Sequence, residues 1–421
     1  MDFLIIHLQH DLQEQGKTVL QDFLSLMPCI YVYLKDLQVK TVQDEFAKAS
    51  EYGSPFFMYS KRQIGDNVRS YVEALQRHDL PYILGYAVKA NNNLTILRIL
   101  RDLGCTAVLV SGNELKLAML AGFSTDKLVF NGNGKTQWEI ELAVTHDVMI
   151  NADSLFDIDH ISSVARQLGK KVKMLLRMNP DIDPEVHRYL ATGSAVSKFG
   201  IPETDLDTAL GKAGSDDNID LVGLHCHIGS TITNIDVFRA TVSAMLRYNN
   251  HVQGRGFRLK YLNVGGGLGI NYRKYIQGGS PGIPSGGELI DSIADKIKES
   301  GLCLILEPGR SIIASAGILV SKVIGIKRNE TRSFLVIDGS MTEVMRPCLY
   351  GAYHHIQLIE PVKTSGTRRY SVVGPVCECG DYLAEDIELP IPHEGCGLAI
   401  RDAGAYCASM SSNYNMRVRT I

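Results

Sequence analysis

Short apolar segments alternate with amphipathic segments along the chain from residue 83 onward. Eight apolar segments have the length and composition of buried strands: Ile83–Lys89, Ala107–Ser111, Leu128–Asn131, Val148–Ala152, Val172–Met178, Leu221–Ile228, Tyr261–Gly265 and Leu302–Glu307. Between them apolar residues recur at spacings of three and four, as in Asn93–Leu103 and Asn113–Ala121, which predicts amphipathic helices. Eight strand–helix units in succession predict an α/β fold with a closed, parallel (β/α)8 TIM-type barrel.

After about residue 315 the pattern changes to short β-rich segments separated by Gly, Pro and Asn. These segments are Ile318–Lys327, Phe334–Ile337, Tyr370–Val373 and Gly397–Ile400, and residues 30–60 contain the similar runs IYVYL and FFMYS. We therefore predict a β-rich domain that is built from both ends of the chain. The expected bounds are a lead-in with no assigned role (1–28), N-terminal strands of the β-domain (29–60), the barrel (61–314) and the C-terminal β-domain (315–421).

The charge balance limits the classes of function. Of 421 residues, 43 are Lys or Arg and 46 are Asp or Glu, giving a net charge of −3. Nucleic-acid and anionic-membrane partners require a positive surface, so neither is expected. The longest apolar stretch, residues 23–34, is interrupted by Ser25 and Pro28 and is too short to cross a bilayer. We expect a soluble protein that acts on a small molecule.

The cysteines and the N-terminus indicate a compartment. Nine cysteines are scattered along the chain, and an odd, dispersed set favours free thiols in a reducing environment. The first residues have no basic region and no small-residue cleavage site, and they include acidic Asp2, Asp11 and Glu14. These features argue against a secretory signal and against an organellar transit peptide.

Candidate catalytic and binding residues are concentrated at the carboxyl ends of the predicted barrel strands, which is where barrel enzymes have their active sites. These ends carry Lys89, Ser111, Asn131, Arg177, Asn179, His225, His227, Gly265–Gly267, Glu307 and Arg310. A strand-end lysine that is partly buried has a lowered pKa and suits a Schiff base. The alternative is a Lys89 side chain that simply reaches solvent.

The glycine run Gly265–Gly267 follows a predicted strand. It fails as a dinucleotide fingerprint because Ile270 occupies the position of the last glycine. Exposed backbone amides at a barrel strand end can instead bind a phosphate group, and a tight turn is an equally good interpretation.

The pair His225 and His227 alternates onto one face of its predicted strand. Because a metal site needs three or four ligands and no others cluster nearby, we predict no metal. Stacking of the His227 ring on a flat cofactor is the more plausible use.

Glu307 can keep a pyridine nitrogen protonated, and Arg310 can bind a phosphate or carboxylate through its planar fork. A buried structural ion pair is the alternative for these two residues. In combination, a lysine, a phosphate-binding glycine run, a stacking histidine and a ring-nitrogen carboxylate indicate pyridoxal phosphate. Cys377 in GPVCE is a candidate proton donor, although a free cysteine is more often a small buried apolar residue.

The sequence resembles the fold-III pyridoxal-phosphate decarboxylases, and within them the diaminopimelate decarboxylases of plants and bacteria. The resemblance extends over about residues 30–416, and it is carried by YAVKANNN, VSGNEL, FNGNGK, HCHIGS, GGGLGI, EPGR, RPCLY, GPVCE and DAGAY. These motifs occur in the order found in the family.

The resemblance implies a role for each site residue. The residues expected at the cofactor are Lys89, His227, Ser230, Gly266, Gly267, Glu307, Pro308, Gly309, Arg310 and Tyr406. Lys89 would hold pyridoxal phosphate as a Schiff base, His227 would stack on its ring, and Glu307 would pair with the ring nitrogen. Ser230, the glycine run and the EPGR backbone would bind the phosphate.

The resemblance also implies a homodimer in which Cys377 reaches the active site of the other subunit and protonates the carbanion after CO2 leaves. The residues expected to hold the substrate are Arg310, Arg346, Tyr350, Glu378 and Tyr406.

The substrate implied is meso-diaminopimelate, which would yield L-lysine and CO2. Its distal end carries a carboxylate and an ammonium group, which two arginines and Glu378 can bind. Ornithine has only a distal amine, and the related ornithine enzymes carry Asp after the cysteine and lack the RPxLY arginine. An ornithine or arginine decarboxylase and a non-catalytic homologue are the alternatives. The presence of Lys89, Glu307 and Cys377 favours an enzyme.

Two features differ from the family pattern. The family continues beyond DAGAY into a further strand, whereas this chain stops at Ile421, so we expect a shortened β-domain with an exposed sheet edge. The N-terminus also lacks the Ser-rich leader of a plastid form. The expected location is the plastid stroma for a plant-type protein and the cytoplasm otherwise.

Overall fold

The computed structural model describes the backbone of residues 31–34 and residues 53–193, 197–276, 282–359 and 366–417. The predicted lead-in, residues 1–28, lies outside the described residues. Within the described residues the chain forms two compact units. The barrel unit lies within Gly65–Ile270 and Pro281–Ile312, and the β-rich unit lies within Met1–Ile64, Asn271–Ser280 and Ile313–Ile421.

The barrel unit contains eight parallel strands that close on themselves. They are β3 (Tyr82–Ala87), β4 (Thr106–Leu109), β5 (Val129–Phe130), β6 (Met149–Ala152), β7 (Val172–Arg177), β8 (Ile219–His225), β9 (Tyr261–Asn263) and β10 (Cys303–Leu306). The barrel closes where β10 pairs with β3, with Leu304 opposite Tyr82. The predicted (β/α)8 barrel is confirmed, and each of the eight predicted strands is present.

Helices follow the strands as the spacing of apolar residues predicts. They are α1 (Lys61–Arg77), α2 (Leu94–Asp102), α3 (Gly112–Ala121), α4 (Gln137–Thr145), α5 (Leu155–Leu168), α6 (Leu206–Gly214), α7 (Ile235–Gly254), α8 (Gly286–Ser300) and the short α9 (Arg310–Ile313). Polar caps fix their starts: the Ser111 side chain accepts the Glu114 amide at α3. Among the helices of the described residues, none has the length and apolar composition needed to cross a membrane.

The interior of the barrel is a packed apolar core. Its central cluster takes one residue from each of six strands: Val108, Val129, Met149, Leu175, Val222 and Ile305. These residues are at most 3% exposed. Branched apolar side chains fill the interior of such barrels, so the polar residues lie mainly at the ends of the strands.

The β-rich unit joins both ends of the chain in one sheet. Strand β2 (Phe56–Ser60) pairs antiparallel with β11 (Gly317–Arg328), and β1 (Tyr31–Leu34) pairs parallel with β2. The remaining elements are β12 (Ser333–Ile337), α10 (Arg346–Tyr350), β13 (Ile356–Leu358), β14 (Thr367–Val373), β15 (Tyr382–Pro390) and β16 (Gly397–Ile400). The predicted two-ended β-domain is confirmed.

The sequence analysis missed β13 and β15. Among the described residues, strand β15 pairs with β14 alone, at the end of the sheet path, and most of its side chains are at least partly exposed. Its sequence, YLAEDIELP, therefore lacks the apolar run that identifies a buried strand.

Candidate active site

The barrel places Lys89 at the carboxyl end of β3, but not in the way the sequence predicted. The strand ends at Ala87, and Lys89 lies in a short 3-10 turn, Val88–Ala90, between two buried residues. The Ala87 amide donates to the Pro308 carbonyl at 3.1 Å, which ties this turn to the EPGR segment. The Lys89 side chain is exposed, so the expected partial burial is wrong and the side chain reaches solvent.

A buried carboxylate, Glu307, lies at the end of β10. It is 6% exposed. Asn131 Nδ2 donates to both of its oxygens at 2.9 Å, and Asn263 Nδ2 donates to Oε1 at 2.7 Å. Two amide groups, one at the end of β5 and one at the end of β9, therefore orient the carboxylate.

His225 completes the surroundings of Glu307. Its Nε2 lies 3.4 Å from Glu307 Oε2, and its Nδ1 lies 2.6 Å from Asn151 Nδ2. Because the Asn151 amide donates to Nδ1, the neutral ring carries its proton on Nε2 and directs it at Glu307. Both ring nitrogens are therefore engaged, which removes His225 as a metal ligand.

These contacts keep Glu307 ionised. Burial raises the pKa of Glu307, but the interaction with His225 and the hydrogen bonds from Asn131 and Asn263 outweigh burial and lower the pKa to about 2. Asn131, Asn263 and His225 together make two contacts to each carboxylate oxygen, which favours the ionised form of Glu307. A protonated pyridine nitrogen carries the positive charge and the N–H donor that an ionised carboxylate pairs with.

His227 lies beyond the end of β8, which stops at His225, so the prediction that the two histidines share one face of a strand is wrong. The Gly266 amide donates to His227 Nδ1 at 3.2 Å, which assigns the ring proton to Nε2. Burial, with the nearby positive charges of Lys89 and Arg177, lowers the pKa of His227 well below its ordinary value. The His227 ring is therefore neutral near pH 7.

The glycine run is required by packing. Gly265 and Gly267 have positive φ angles of 69° and 107°. A Cβ atom at Gly266 would collide with the Glu307 carbonyl oxygen, and one at Gly267 would collide with the Gly229 carbonyl oxygen. The close approach of these backbones supports the tight-turn interpretation. The glycine run packs directly against the backbone of Glu307.

Arg310 and Ser230 form a second polar pair in the barrel unit. Arg310 is buried at the start of α9, directly after Pro308 and Gly309. Its Nε and Nη2 atoms lie 3.3 Å and 3.1 Å from Ser230 Oγ. Because the hydroxyl accepts from the guanidinium, its own proton is free to donate to an anion such as a phosphate oxygen.

The sequence analysis missed Asn151 and Asn263 as members of this site. Both are fully buried amides near or at the end of otherwise apolar strands, in MINA and YLN. Buried polar side chains are hydrogen-bonded, so an asparagine at the end of an apolar strand is the signal that could have identified them.

The β-rich unit holds a buried arginine, Arg346, at the start of α10. Arg346 is 2% exposed, and its Nη1 lies 2.7 Å from His354 Nε2. Its Nε atom is buried and has no hydrogen-bond partner among the described residues. Tyr350, four residues further along the same helix, is half-buried. An incoming carboxylate can satisfy the free Nε donor.

Cys377 and Glu378 lie on an exposed loop of the β-rich unit. Buried Asp381 fixes this loop, since it accepts the Val376 amide at 2.9 Å and the Met341 amide at 2.7 Å. The thiol and the carboxylate are therefore held at the surface on an ordered backbone. The alternative interpretation of Cys377, a buried apolar residue, is wrong.

Tyr406 has a left-handed backbone, with φ of 57°. Such a conformation is costly for a tyrosine and is held by the surrounding structure. Two residues earlier, a Cβ atom at Gly404 would collide with the Ile313 carbonyl oxygen. The DAGAY segment therefore has a fixed backbone that sets the direction of the Tyr406 side chain.

Comparison with known proteins gives consistent results. Residues 61–314 match the family model for the pyridoxal binding domain of pyridoxal-dependent decarboxylases. The chain is 48% identical over 384 residues to "Probable diaminopimelate decarboxylase, chloroplastic" of Oryza sativa subsp. japonica, covering 91% of this chain and 77% of that protein. It is 38% identical over 374 residues to diaminopimelate decarboxylase of Aquifex aeolicus, covering 88% and 86%.

A solved structure, the diaminopimelate decarboxylase of Helicobacter pylori complexed with L-lysine, is also similar. It has a TM-score of 0.83 and 32% sequence identity, and the match covers 89% of this chain and 92% of that one. The family model, the two curated relatives and the solved structure all indicate the same family. The chain belongs to the fold-III pyridoxal-phosphate-dependent decarboxylases, in the diaminopimelate decarboxylase family.

Proposed function

We propose that this chain decarboxylates meso-2,6-diaminopimelate to L-lysine and CO2, the last step of lysine biosynthesis. The observation that carries the proposal is the buried Arg346, whose Nε donor has no partner among the described residues. A buried guanidinium with a free donor fits a substrate carboxylate far from the reacting carbon, which diaminopimelate has and ornithine lacks. Formation of L-lysine from meso-diaminopimelate, followed by amino-acid analysis, tests the proposal.

The cofactor is pyridoxal phosphate, and the barrel unit supplies its binding residues. When bound, it supplies an electron-accepting ring that takes up the electron pair left when the carboxyl group departs as CO2. Glu307 would hold a proton at the ring nitrogen, neutral His227 would stack on the ring, and Lys89 would anchor the cofactor covalently. Residues proposed for the phosphate are Ser230, Gly266, Gly267, Pro308, Gly309 and Arg310.

The β-rich unit supplies the proton and the substrate contacts. Loss of CO2 breaks a carbon–carbon bond, and the Cys377 thiol then gives its proton to that carbon. The exposure of Cys377 supports this role, because a donor must reach a reacting atom outside its own loop. Arg310, Arg346, Tyr350 and Tyr406 bind the substrate, and Glu378 pairs with its distal ammonium.

The variant Cys377→Ala should bind pyridoxal phosphate normally but form lysine about a hundred- to ten-thousandfold more slowly, as for the loss of a general acid. Stopped assays of lysine formation and the visible absorbance of the cofactor measure the two properties. Cys379→Ala is the matched control, since Cys379 is also exposed and two residues away. Unchanged turnover in Cys377→Ala would remove its role as the proton donor.

We propose a homodimer in which Cys377 of one subunit serves the site that contains Lys89 of the other. Subunits carrying Lys89→Ala and Cys377→Ala, each nearly inactive alone, should regain about a quarter of wild-type activity when unfolded together and refolded as two-fold dimers. Half of the dimers are then mixed, and each mixed dimer has one intact site. Absence of any recovery, with mixed dimers detected by mass spectrometry, would contradict the shared site.

The proposed compartment is the plastid stroma for a plant-type protein, which the similarity to the rice chloroplastic protein supports. Import of the 421-residue chain into isolated chloroplasts tests this proposal. A chain that stays outside the organelle would favour the cytoplasm.

A further inference from the structure

Arg346 is held in an unusual way for a buried cation. Within the described residues no ion pair joins it to a carboxylate, and its Nε lacks a hydrogen-bond partner. A buried, unpaired guanidinium is costly in free energy unless it gains an anion. The Asp402 carboxylate of the same unit interacts with Arg346 electrostatically but forms no ion pair with it, so hydrogen bonds and ring contacts must fix the position of the guanidinium.

His354 makes the first of these contacts. It is 1% exposed, and its Nδ1 lies 2.9 Å from the Arg401 carbonyl oxygen. A carbonyl oxygen can only accept, so Nδ1 carries the ring proton and Nε2 is left as an acceptor. His354 Nε2 accepts a hydrogen bond from Arg346 Nη1 at 2.7 Å. The Arg401 amide in turn donates to the His355 carbonyl at 2.8 Å, which anchors this backbone.

Tyr272 covers the face of the same guanidinium. The Arg346 Cζ atom lies 4.6 Å from the centre of the Tyr272 ring. The His354 ring meets Tyr272 edge-on, with centroids 5.4 Å apart and an interplanar angle of 74°. His354 therefore fixes the Nη1 edge of the planar guanidinium, and Tyr272 covers one of its faces. The Nε edge stays available for a ligand.

We infer that His354 is a positioning residue for substrate specificity: it holds Arg346 so that the Nε edge of the guanidinium receives the distal carboxylate of the substrate. The inference rests on the proposed function, because it requires a ligand with that carboxylate. His354 contacts neither the cofactor nor the reacting carbon in this scheme. It acts through Arg346 and sets which ligands bind.

Two ligands that differ only in this carboxylate isolate the effect. L-Lysine retains the distal carboxylate of diaminopimelate, and 1,5-diaminopentane has the same carbon chain and amines without it. Titration of the holoenzyme with each ligand, followed by the cofactor's visible absorbance, gives two dissociation constants. In His354→Leu we expect binding of L-lysine to weaken by about tenfold or more, as for a lost charge-assisted contact. Binding of 1,5-diaminopentane should change less than about twofold.

His354→Gln is expected to restore most of the affinity for L-lysine, because its amide can donate to the Arg401 carbonyl and accept from Arg346. The matched control is His355→Leu. His355 is the adjacent histidine, and it stacks on Tyr275 at 4.8 Å rather than on the Arg346 group. With meso-diaminopimelate, His354→Leu should raise KM with little change in kcat.

Equal weakening of both ligands in His354→Leu, or an equal effect in His355→Leu, would overturn the inference and leave only a structural role for His354. A wild-type enzyme that binds the two ligands equally would overturn the proposed carboxylate site and the inference with it. If His354→Leu does not fold, the two dissociation constants are measured for Tyr272→Leu instead. We expect this variant to bind L-lysine more weakly and 1,5-diaminopentane as the wild type does.

Discussion

Replacing Lys89 by alanine should abolish both decarboxylation and the visible absorbance of the covalently held cofactor. Lys89 is the lysine of YAVKANNN, and its exposed side chain extends from a turn whose flanking residues are buried. Loss of a group that anchors the cofactor should slow turnover by about ten thousandfold or more, the upper end of what one catalytic side chain supplies. Absorbance spectra and lysine formation measure the two effects.

Lys171→Ala is the control for this variant. Lys171 is exposed and directly precedes β7, so it lies at the amino end of the barrel strands, opposite the site. It should leave both the absorbance and the turnover unchanged. A Lys89→Ala protein that keeps the cofactor band would show that another group holds the cofactor.

Replacing Glu307 by glutamine should reduce turnover by about a hundred- to a thousandfold, the usual effect of removing one preorganised electrostatic contact. The substitution removes the negative charge that holds a proton at the ring nitrogen. It also turns an amide NH2 group toward Asn131 and Asn263, which are donors themselves. The unmatched donors should lower the free energy of unfolding by about 1–3 kcal/mol.

The pH dependence of stability gives Glu307→Gln a readout other than activity. The folded state lowers the pKa of Glu307 from 4.5 to about 2. Ionised Glu307 therefore stabilises the folded protein above about pH 4.5, and this contribution is lost as the pH falls toward 2. Urea unfolding of the cofactor-free protein across this range should show a smaller pH slope in the variant. Glu299→Gln, an exposed change on α8, should keep the wild-type slope, and an unchanged slope in Glu307→Gln would contradict the ionised carboxylate.

The barrel could be predicted from the sequence because each strand is a continuous apolar run that must be buried. The ends of those runs were less predictable. The apolar segment Ile83–Lys89 and the alternation of His225 with His227 both suggested strands longer than the structure contains. A 3-10 turn or a strand end depends on local backbone hydrogen bonds, which apolar periodicity does not encode.

The hydrogen-bond partners of Glu307 could not be predicted. Asn131 and Glu307 are 176 positions apart in the sequence, and Asn263 and Glu307 are 44 positions apart. Only closure of the barrel brings these strand ends together. Their residue types were visible in the sequence, but their pairing is a property of the fold.

The glycine run Gly265–Gly267 shows a different limit of prediction from the sequence. A phosphate cradle and a tight turn favour the same residues, so the sequence could not separate them. In the structure the carbonyls of Glu307 and Gly229 leave no space for a side chain at Gly266 and Gly267. Packing alone therefore requires both glycines, whether or not their amides also bind a phosphate.

Release of CO2 by the purified protein with pyridoxal phosphate, measured in parallel on meso-diaminopimelate, L-ornithine and L-arginine, tests the proposed function most directly. We expect release from diaminopimelate alone, because only this substrate offers a distal carboxylate to Arg346. Release from ornithine or arginine at a comparable rate, or no release from diaminopimelate by protein that shows the cofactor band, would contradict it.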